Sequence, residues 1–192
     1  MQLKESDMPK EGEWKRYFPH QKTTLRTLGL KRRMIFTDLG CGFGTFTIPA
    51  AEIVGPRGTV YAVDLDPLMI DRVLAKSRSK KLKNVRTIVG DITSLESIVS
   101  LPRHRVDFVL LSNVIHGTKN KVALLKSVST TILSKNGRIA VLNWNLAKTP
   151  RGPPMKMRST PDQIISYLKR AGYVVPQVVR VLPFHYAVTA GS

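Results

Sequence analysis

The sequence has a single cysteine, Cys41, which excludes an internal disulfide and a metal site built on several thiolates. No metal is expected. Nor is there an apolar run near the ~18 residues needed to span a bilayer. The opening MQLKESDMPKEGEWKR is too polar for a signal peptide. A cytoplasmic protein is therefore expected, with at most peripheral contact with an anionic membrane. Acidic residues are scarce, 13 against 31 basic ones, for a net charge of +18. Residues 72–192 contain only Asp91, Glu96, Asp107 and Asp162, so nearly all the excess lies in the later part. Such a field concentrates polyanions such as RNA or an anionic membrane surface, although it can also serve solubility alone. Aromatic residues, 7% of the chain, are sparse in the basic regions, which leaves few platforms for stacking bases.

The hydrophobic share of 42% and charged share of 23% are those of a globular protein, and 192 residues fit one domain spanning 1–192. Residues 1–33 are polar and mixed, with Trp14, Tyr17, Phe18 and Leu25 spaced to form a helical cap over an edge or pocket. A core of alternating elements follows over 34–145. Strands are predicted at MIFTD (34–38), TVYAVD (59–64), VRTIVG (85–90), VDFVLLS (106–112) and RIAVLN (138–143). Helices are predicted at 45–54, after Asp66-Pro67, at Thr93–Val99 and at Lys121–Leu133. Residues 146–192 supply a lid, a helix opened by a Thr160-Pro161-Asp162-Gln163 capping box, and two strands, Val174–Val181 and Phe184–Thr189, around Leu182-Pro183. Strands alternating with helices imply a parallel sheet covered on both faces, and the last two strands must be antiparallel to each other. The expected fold is a doubly wound α/β sheet of seven mostly parallel strands with a C-terminal antiparallel hairpin.

In this architecture a ligand sits beyond the carboxyl ends of the central strands. The first such end is DLGCGFG (38–44), where Gly40, Gly42 and Gly44 permit close approach of a ligand to the backbone. The spacing is G-x-G-x-G, with Thr45 where a dinucleotide fingerprint needs its third small residue. Asp38 places a carboxylate at the strand end, which suits a cationic ligand better than a pyrophosphate. NAD and FAD are therefore not expected.

DLGCGFG, an acid ending the second strand and Gly90-Asp91 after the third resemble the class I S-adenosylmethionine-dependent methyltransferases. AEIVGPRGTVYAVDLDP (51–67), LLSNVIHG (110–117) and GPPMKMR (152–158) look more closely like the ubiquinone/menaquinone-biosynthesis group, methyltransferase type 11. The resemblance implies S-adenosylmethionine as cofactor, S-adenosylhomocysteine as product, and a Rossmann-like fold. It implies that Asp38, Gly40, Gly42 and Gly44 hold the methionine part. Asp64 would take the ribose hydroxyls, and Asp91 with the Ile92 backbone the adenine; Leu65 and Ser112 complete the cofactor set. Asp66 reads as a helix cap.

The segment Ser112-Asn113-Val114-Ile115-His116, where such enzymes meet the acceptor, lacks the Asn/Asp-Pro-Pro-Tyr turn of amino-group methyltransferases. Cys41 is misplaced for a cytosine-C5 nucleophile and alone cannot serve arsenite, and Asp107 begins rather than ends its strand, unlike the acid of ribose 2′-O enzymes. His116 is the candidate base, as a residue that titrates near neutral pH, with a pocket-lining role as the alternative. Asn113, His116 and Arg158 are candidate acceptor contacts, Arg158 as an anion clamp. His185 reads as a structural hairpin residue, and His20 and His104 as surface residues. Two acceptors are compatible with these residues: a small hydrophobic, phenolic or quinone-like molecule, or RNA held on the basic surface.

Overall fold

The computed structural model describes residues 9–181 and 183–192; residues 1–8 of the expected cap and Leu182 of the final turn lie outside them. Seven strands form one sheet: β1 (Ile35–Leu39), β2 (Thr59–Asp64), β3 (Val85–Val89), β4 (Val106–Ser112), β5 (Leu133–Trp144), β6 (Val174–Val181) and β7 (His185–Gly191). Their order is β3-β2-β1-β4-β5-β7-β6. β1 to β5 are parallel neighbours, and β7 pairs antiparallel with both β5 and β6. The final hairpin thus inserts its second strand into the sheet and leaves β6 at the edge.

The helices are α1 (Trp14–Tyr17), α2 (Gln21–Thr27), α3 (Thr47–Val54), α4 (Pro67–Ser79), α5 (Lys121–Thr131) and α6 (Pro161–Arg170). Their starts follow local chemistry. The Asp66 side chain accepts from the Leu68 amide with Pro67 in the first turn, and Thr160 forms a reciprocal capping box with Gln163 ahead of Pro161. The helix expected at Thr93–Val99 is a short 3₁₀ segment, Ile92–Ser97, broken at Ser94. Six residues rich in Ser and Thr do not sustain an α-helix here. β5 begins at Leu133, earlier than expected, and a register shift against β4 accommodates residues 134–137.

β4 shows why the strands read as unbroken apolar runs. Val109 and Leu111 pack into one core with α5 and α6, while Phe108 and Leu110 pack into the other with α2 and α3. The order reverses between β1 and β4, and their carboxyl ends diverge there, at Leu39 and Ser112. A crevice opens at that reversal.

Candidate active site

Two cavities flank the loop after β1. The first, about 280 Å³, is lined by Asp38, Gly40 and Asp64 from the strand ends, by Ser112 and Asn113 after β4, and by Pro9, Trp14, Phe18 and Phe46. The second, about 530 Å³, is lined by Gly40, Asp64, Leu65, Asp91, Ile92 and residues 117–120. Gly40, Asp64 and Val114 belong to both, so the cavities adjoin across one glycine and one carboxylate.

The loop is held open by its glycines. Gly40 has φ 76°, and a Cβ there would collide with the Val114 side chain. Gly42, at φ 49°, donates its amide to Asp64 Oδ2 at 2.8 Å, while Asp64 Oδ1 accepts the Asp66 amide at 3.1 Å. Gly44 differs from the expectation: it lines neither cavity, and its absent side chain lets the loop pack against Val73 of α4.

Asp38 is buried, and its Oδ2 accepts the Thr47 hydroxyl at 2.6 Å. Burial, with a contribution from the Asp64 charge, pushes its pKa up to about 7. Cys41 lines the first cavity as a neutral thiol, its pKa raised by burial and then by Asp38 and Asp64. A buried carboxyl poised to ionise beside a second carboxylate fits a ligand bearing positive charge. The Gly40 cradle fits one that lies against the backbone. These are the requirements of the amino and sulfonium centres of S-adenosylmethionine, and Asp64 and Asp91 both line the second cavity. Asp91 Oδ1 also caps the 3₁₀ segment, accepting from the Thr93 amide and hydroxyl.

The acceptor side departs further from the sequence reading. Asn113 lines the first cavity in the left-handed backbone region, φ 57°, and its buried amide oxygen and nitrogen have no hydrogen-bond partner among the described residues. His116 is buried in the turn at residues 115–117 and lines neither cavity; burial, then Lys121 and Arg158, push its pKa down to about 4. That placement does not support a base at the acceptor. Arg158 is not an open clamp. It donates to the carbonyls of Pro153, Asn145 and Ala147 and to Thr149 Oγ1 at 2.7–2.9 Å, with its guanidinium over Trp144. It therefore laces the lid, and residues 145–158 contribute nothing to the first cavity's wall. His185 is buried between Phe18 and Trp144, 4.2 Å from each ring centroid, while His20 and His104 are exposed.

The expected cap does supply Trp14 and Phe18 to the first cavity, while sequence reasoning missed Phe46. Trp14 stacks on Phe18 at 5.9 Å, and Phe18 meets Phe46 edge-on at 4.9 Å. Glu11 pairs with Arg72 and Lys76 of α4, and Glu13 pairs with Arg151 of the lid, so ion pairs hold this N-terminal segment over the glycine loop. The Trp14/Phe18 spacing of four was the signal for the cap.

The chain matches the family described as "Methyltransferase domain" over residues 30–176. It is 39% identical over 90 residues to a Pyrobaculum aerophilum protein named "Probable cobalt-precorrin-6B C(15)-methyltransferase (decarboxylating)", covering 44% of this chain and 45% of that one. It is 27% identical over 128 residues to the demethylmenaquinone methyltransferase of Geobacillus stearothermophilus, covering 67% of this chain and 52% of that one. The chain thus spans about half the length of these two relatives. Its fold is shared with a SAM dependent methyltransferase from Aquifex aeolicus, at a TM-score of 0.83 and 24% identity over 95% of this chain and 93% of the other.

Proposed function

The chain belongs to the methyltransferase domain family, as an S-adenosylmethionine-dependent enzyme, and from that premise we propose that its acceptor is a small, planar, hydrophobic molecule of phenolic or quinone-like character. The observation that carries this reading is the aromatic wall of Trp14, Phe18 and Phe46 facing Asp38 and Asn113 across one cavity. At about 280 Å³, including the space near Asp38 and Gly42, it lies at the small end of ligand pockets. That suits one or two fused rings lying against the aromatic wall. The name of the Geobacillus relative points to the same class of acceptor.

The bound cofactor supplies an electrophilic methyl group on a sulfonium. Asp38 and Asp64 hold the cationic centre and fix its direction at the boundary of the two cavities. Trp14, Phe18 and Phe46 align a ring against it and exclude water, which supports in-line displacement. The Asn113 amide donates to, or accepts from, the acceptor's polar atom, which orients the ring. No base is assigned, since a phenol or enol can ionise ahead of transfer. A cytoplasmic site of action is part of this reading.

The test is transfer of labelled methyl from S-adenosylmethionine to a hydroxynaphthoquinol, a polycyclic phenol and total RNA. Label in the organic phase with either ring compound is the expected result. Label released only by nuclease would replace the small acceptor with RNA.

A further inference from the structure

Aspartates gather at one end of the parallel strands, beside bases such as Arg72, Lys76 and Lys119. At the carboxyl edge of the sheet, around the two cavities, stand Asp38, Asp64, Asp66 and Asp91. The opposite edge, where the parallel strands begin, is cationic. Arg32 and Arg33 precede β1, Arg57 precedes β2, and Lys81 and Lys83 precede β3, all with exposed side chains. Arg103 and Arg105 continue the row ahead of β4. The acids near this edge are engaged: Glu52 pairs with Lys22 and Lys80, Asp107 accepts the Ile35 amide, and Glu96 accepts the Ser127 and Thr131 hydroxyls beside Arg103, which donates to the Leu95 and Glu96 carbonyls.

This edge is also shaped. A hollow of about 370 Å³ is lined by Arg32, Arg33 and Arg57 with Val54 and Pro56. A neighbouring hollow of about 500 Å³ shares Pro56 and is lined by Lys81, Lys83 and Arg86, with Glu52, held by Lys22 and Lys80, also in its wall. Three loops that enter strands here put a basic or imidazole side chain in the left-handed backbone region: Arg33 (φ 68°), Lys81 (φ 55°) and His104 (φ 51°). Glycine or asparagine is the inexpensive choice at such positions, and a bulky side chain costs on the order of 1 kcal/mol.

We infer that this edge is a docking surface for the phosphodiester backbone of a nucleic acid, bound through its phosphates and remote from the methyl-transfer site. Arginine forks match phosphate oxygens in pairs, and the hollows present them in clusters. None of the exposed large apolar side chains belongs to the loops lining these hollows, so they offer neither a base-stacking platform nor an insertion wedge for lipid. Binding is then independent of sequence. The loops ahead of β3, β2, β1 and β4 lie over roughly 15 Å at the usual strand spacing. That is room for about four phosphates at ~3.4 Å of axis per nucleotide.

The experiment is a fluorescence-anisotropy titration of the full chain against two 20-nucleotide single-stranded RNAs of unrelated sequence, across a salt series. Equal affinities for both and a slope of log K against log salt of about −3 are expected from about four contacts. The triple variant Arg32→Glu/Arg57→Glu/Lys83→Glu should bind at least tenfold more weakly, with a slope near −1. Its methyl transfer and melting temperature should be unchanged. A control with the same change in charge, Lys126→Glu/Lys148→Glu/Lys156→Glu, should bind within threefold of the wild type. Absence of RNA binding at low salt, or equal weakening in both variants, would overturn the proposal. So would loss of binding to phosphatidylserine vesicles in the edge variant with RNA binding intact, which would make the edge a membrane surface. Methyl transfer to the small acceptor is read separately, so failure here leaves the proposed reaction standing.

Discussion

Asp64 Oδ2 accepts the amide of Gly42 at 2.8 Å, which ties the end of β2 to the loop after β1 and makes one carboxylate a wall of both cavities. Two consequences follow from its removal. The loop loses an anchor, and both cavities lose a negative partner that the proposed cofactor pose would use. Asp64→Ala should therefore weaken S-adenosylmethionine binding by about 10²-fold, the equivalent of one or two charge-assisted hydrogen bonds. Isothermal titration of the cofactor measures this, and equal affinity in the two proteins would remove the assignment.

Asp38 predicts a pH dependence of cofactor binding. Its pKa is raised to about 7, so at pH 6 the carboxyl is mainly protonated and at pH 8 mainly charged. A cationic ligand prefers the charged form, so affinity should climb as pH rises to about 7 and level off above it. Stability of the ligand-free protein moves the other way. A carboxyl whose folded pKa exceeds its unfolded value is stabilising at low pH, and that contribution is lost as pH rises from about 4 through 7. The loss is of order 4 kcal/mol. Asp38→Asn should thus flatten the affinity profile, weaken binding at pH 8 and raise the melting temperature of the free protein there. A pH series of titrations and melts on both proteins checks all three.

Trp14 and Phe18 line the first cavity, where the proposed acceptor would lie, and stand outside the second. Truncating Trp14 removes a stacking surface worth about 1 kcal/mol beyond its buried area. Trp14→Ala should raise KM for a ring acceptor by roughly tenfold and leave the cofactor Kd within about twofold. Steady-state kinetics with cofactor titration separates the two, and a loss confined to cofactor binding would move the acceptor elsewhere.

What was legible in the sequence is the position of residues set by local rules. Gly40, Gly42, Asp64 and Asp91 lie within short strand–turn segments, and the parallel sheet places every such turn at one edge. Asp66 and Thr160 were legible as caps for the same reason. The aromatic wall was legible in part: Trp14 and Phe18 read as a cap, whereas their meeting with Phe46 depends on ion pairs from Glu11 and Glu13 to α4 and the lid, contacts between distant parts of the chain. Arg158 misled for a related reason. A lone arginine after Gly-Pro-Pro looks available for an anion, whereas the folded lid turns carbonyls of three residues toward it. His116 read as a base from its place after β4, yet the two residues that separate it from Asn113, Val114 and Ile115, carry it into a buried turn.

Arg158 accordingly predicts a defect of stability more than of chemistry. Its guanidinium bridges residues 145–153 and covers Trp144, so Arg158→Ala unlaces the lid and uncovers a buried indole. A loss of about 2–3 kcal/mol is expected, and a fall in melting temperature of roughly 5–10 °C for a chain of this size. Lysine cannot reproduce the fork, so Arg158→Lys should recover less than half of the loss. If both variants melt like the wild type, while KM for an anionic acceptor rises, the clamp reading returns.

His185 makes the protein acid-sensitive in a way its ring packing explains. The imidazole lies between Phe18 and Trp144, neither ring nitrogen has a partner among the described residues, and burial pushes its pKa down to about 3. His116 behaves alike, at about 4. For a histidine whose folded pKa is lowered, the unfolded chain takes the proton first. Stability is therefore full above about pH 6.5 and falls as pH drops toward the folded value. Each buried ring contributes on the order of 3–5 kcal/mol to that loss. His185→Phe keeps an aromatic ring in the slot and removes the titration, so its stability relative to wild type should grow between pH 6.5 and 4.5. Denaturant melts at the two pH values measure the difference, and parallel losses in both proteins would show that His185 is not the proton acceptor.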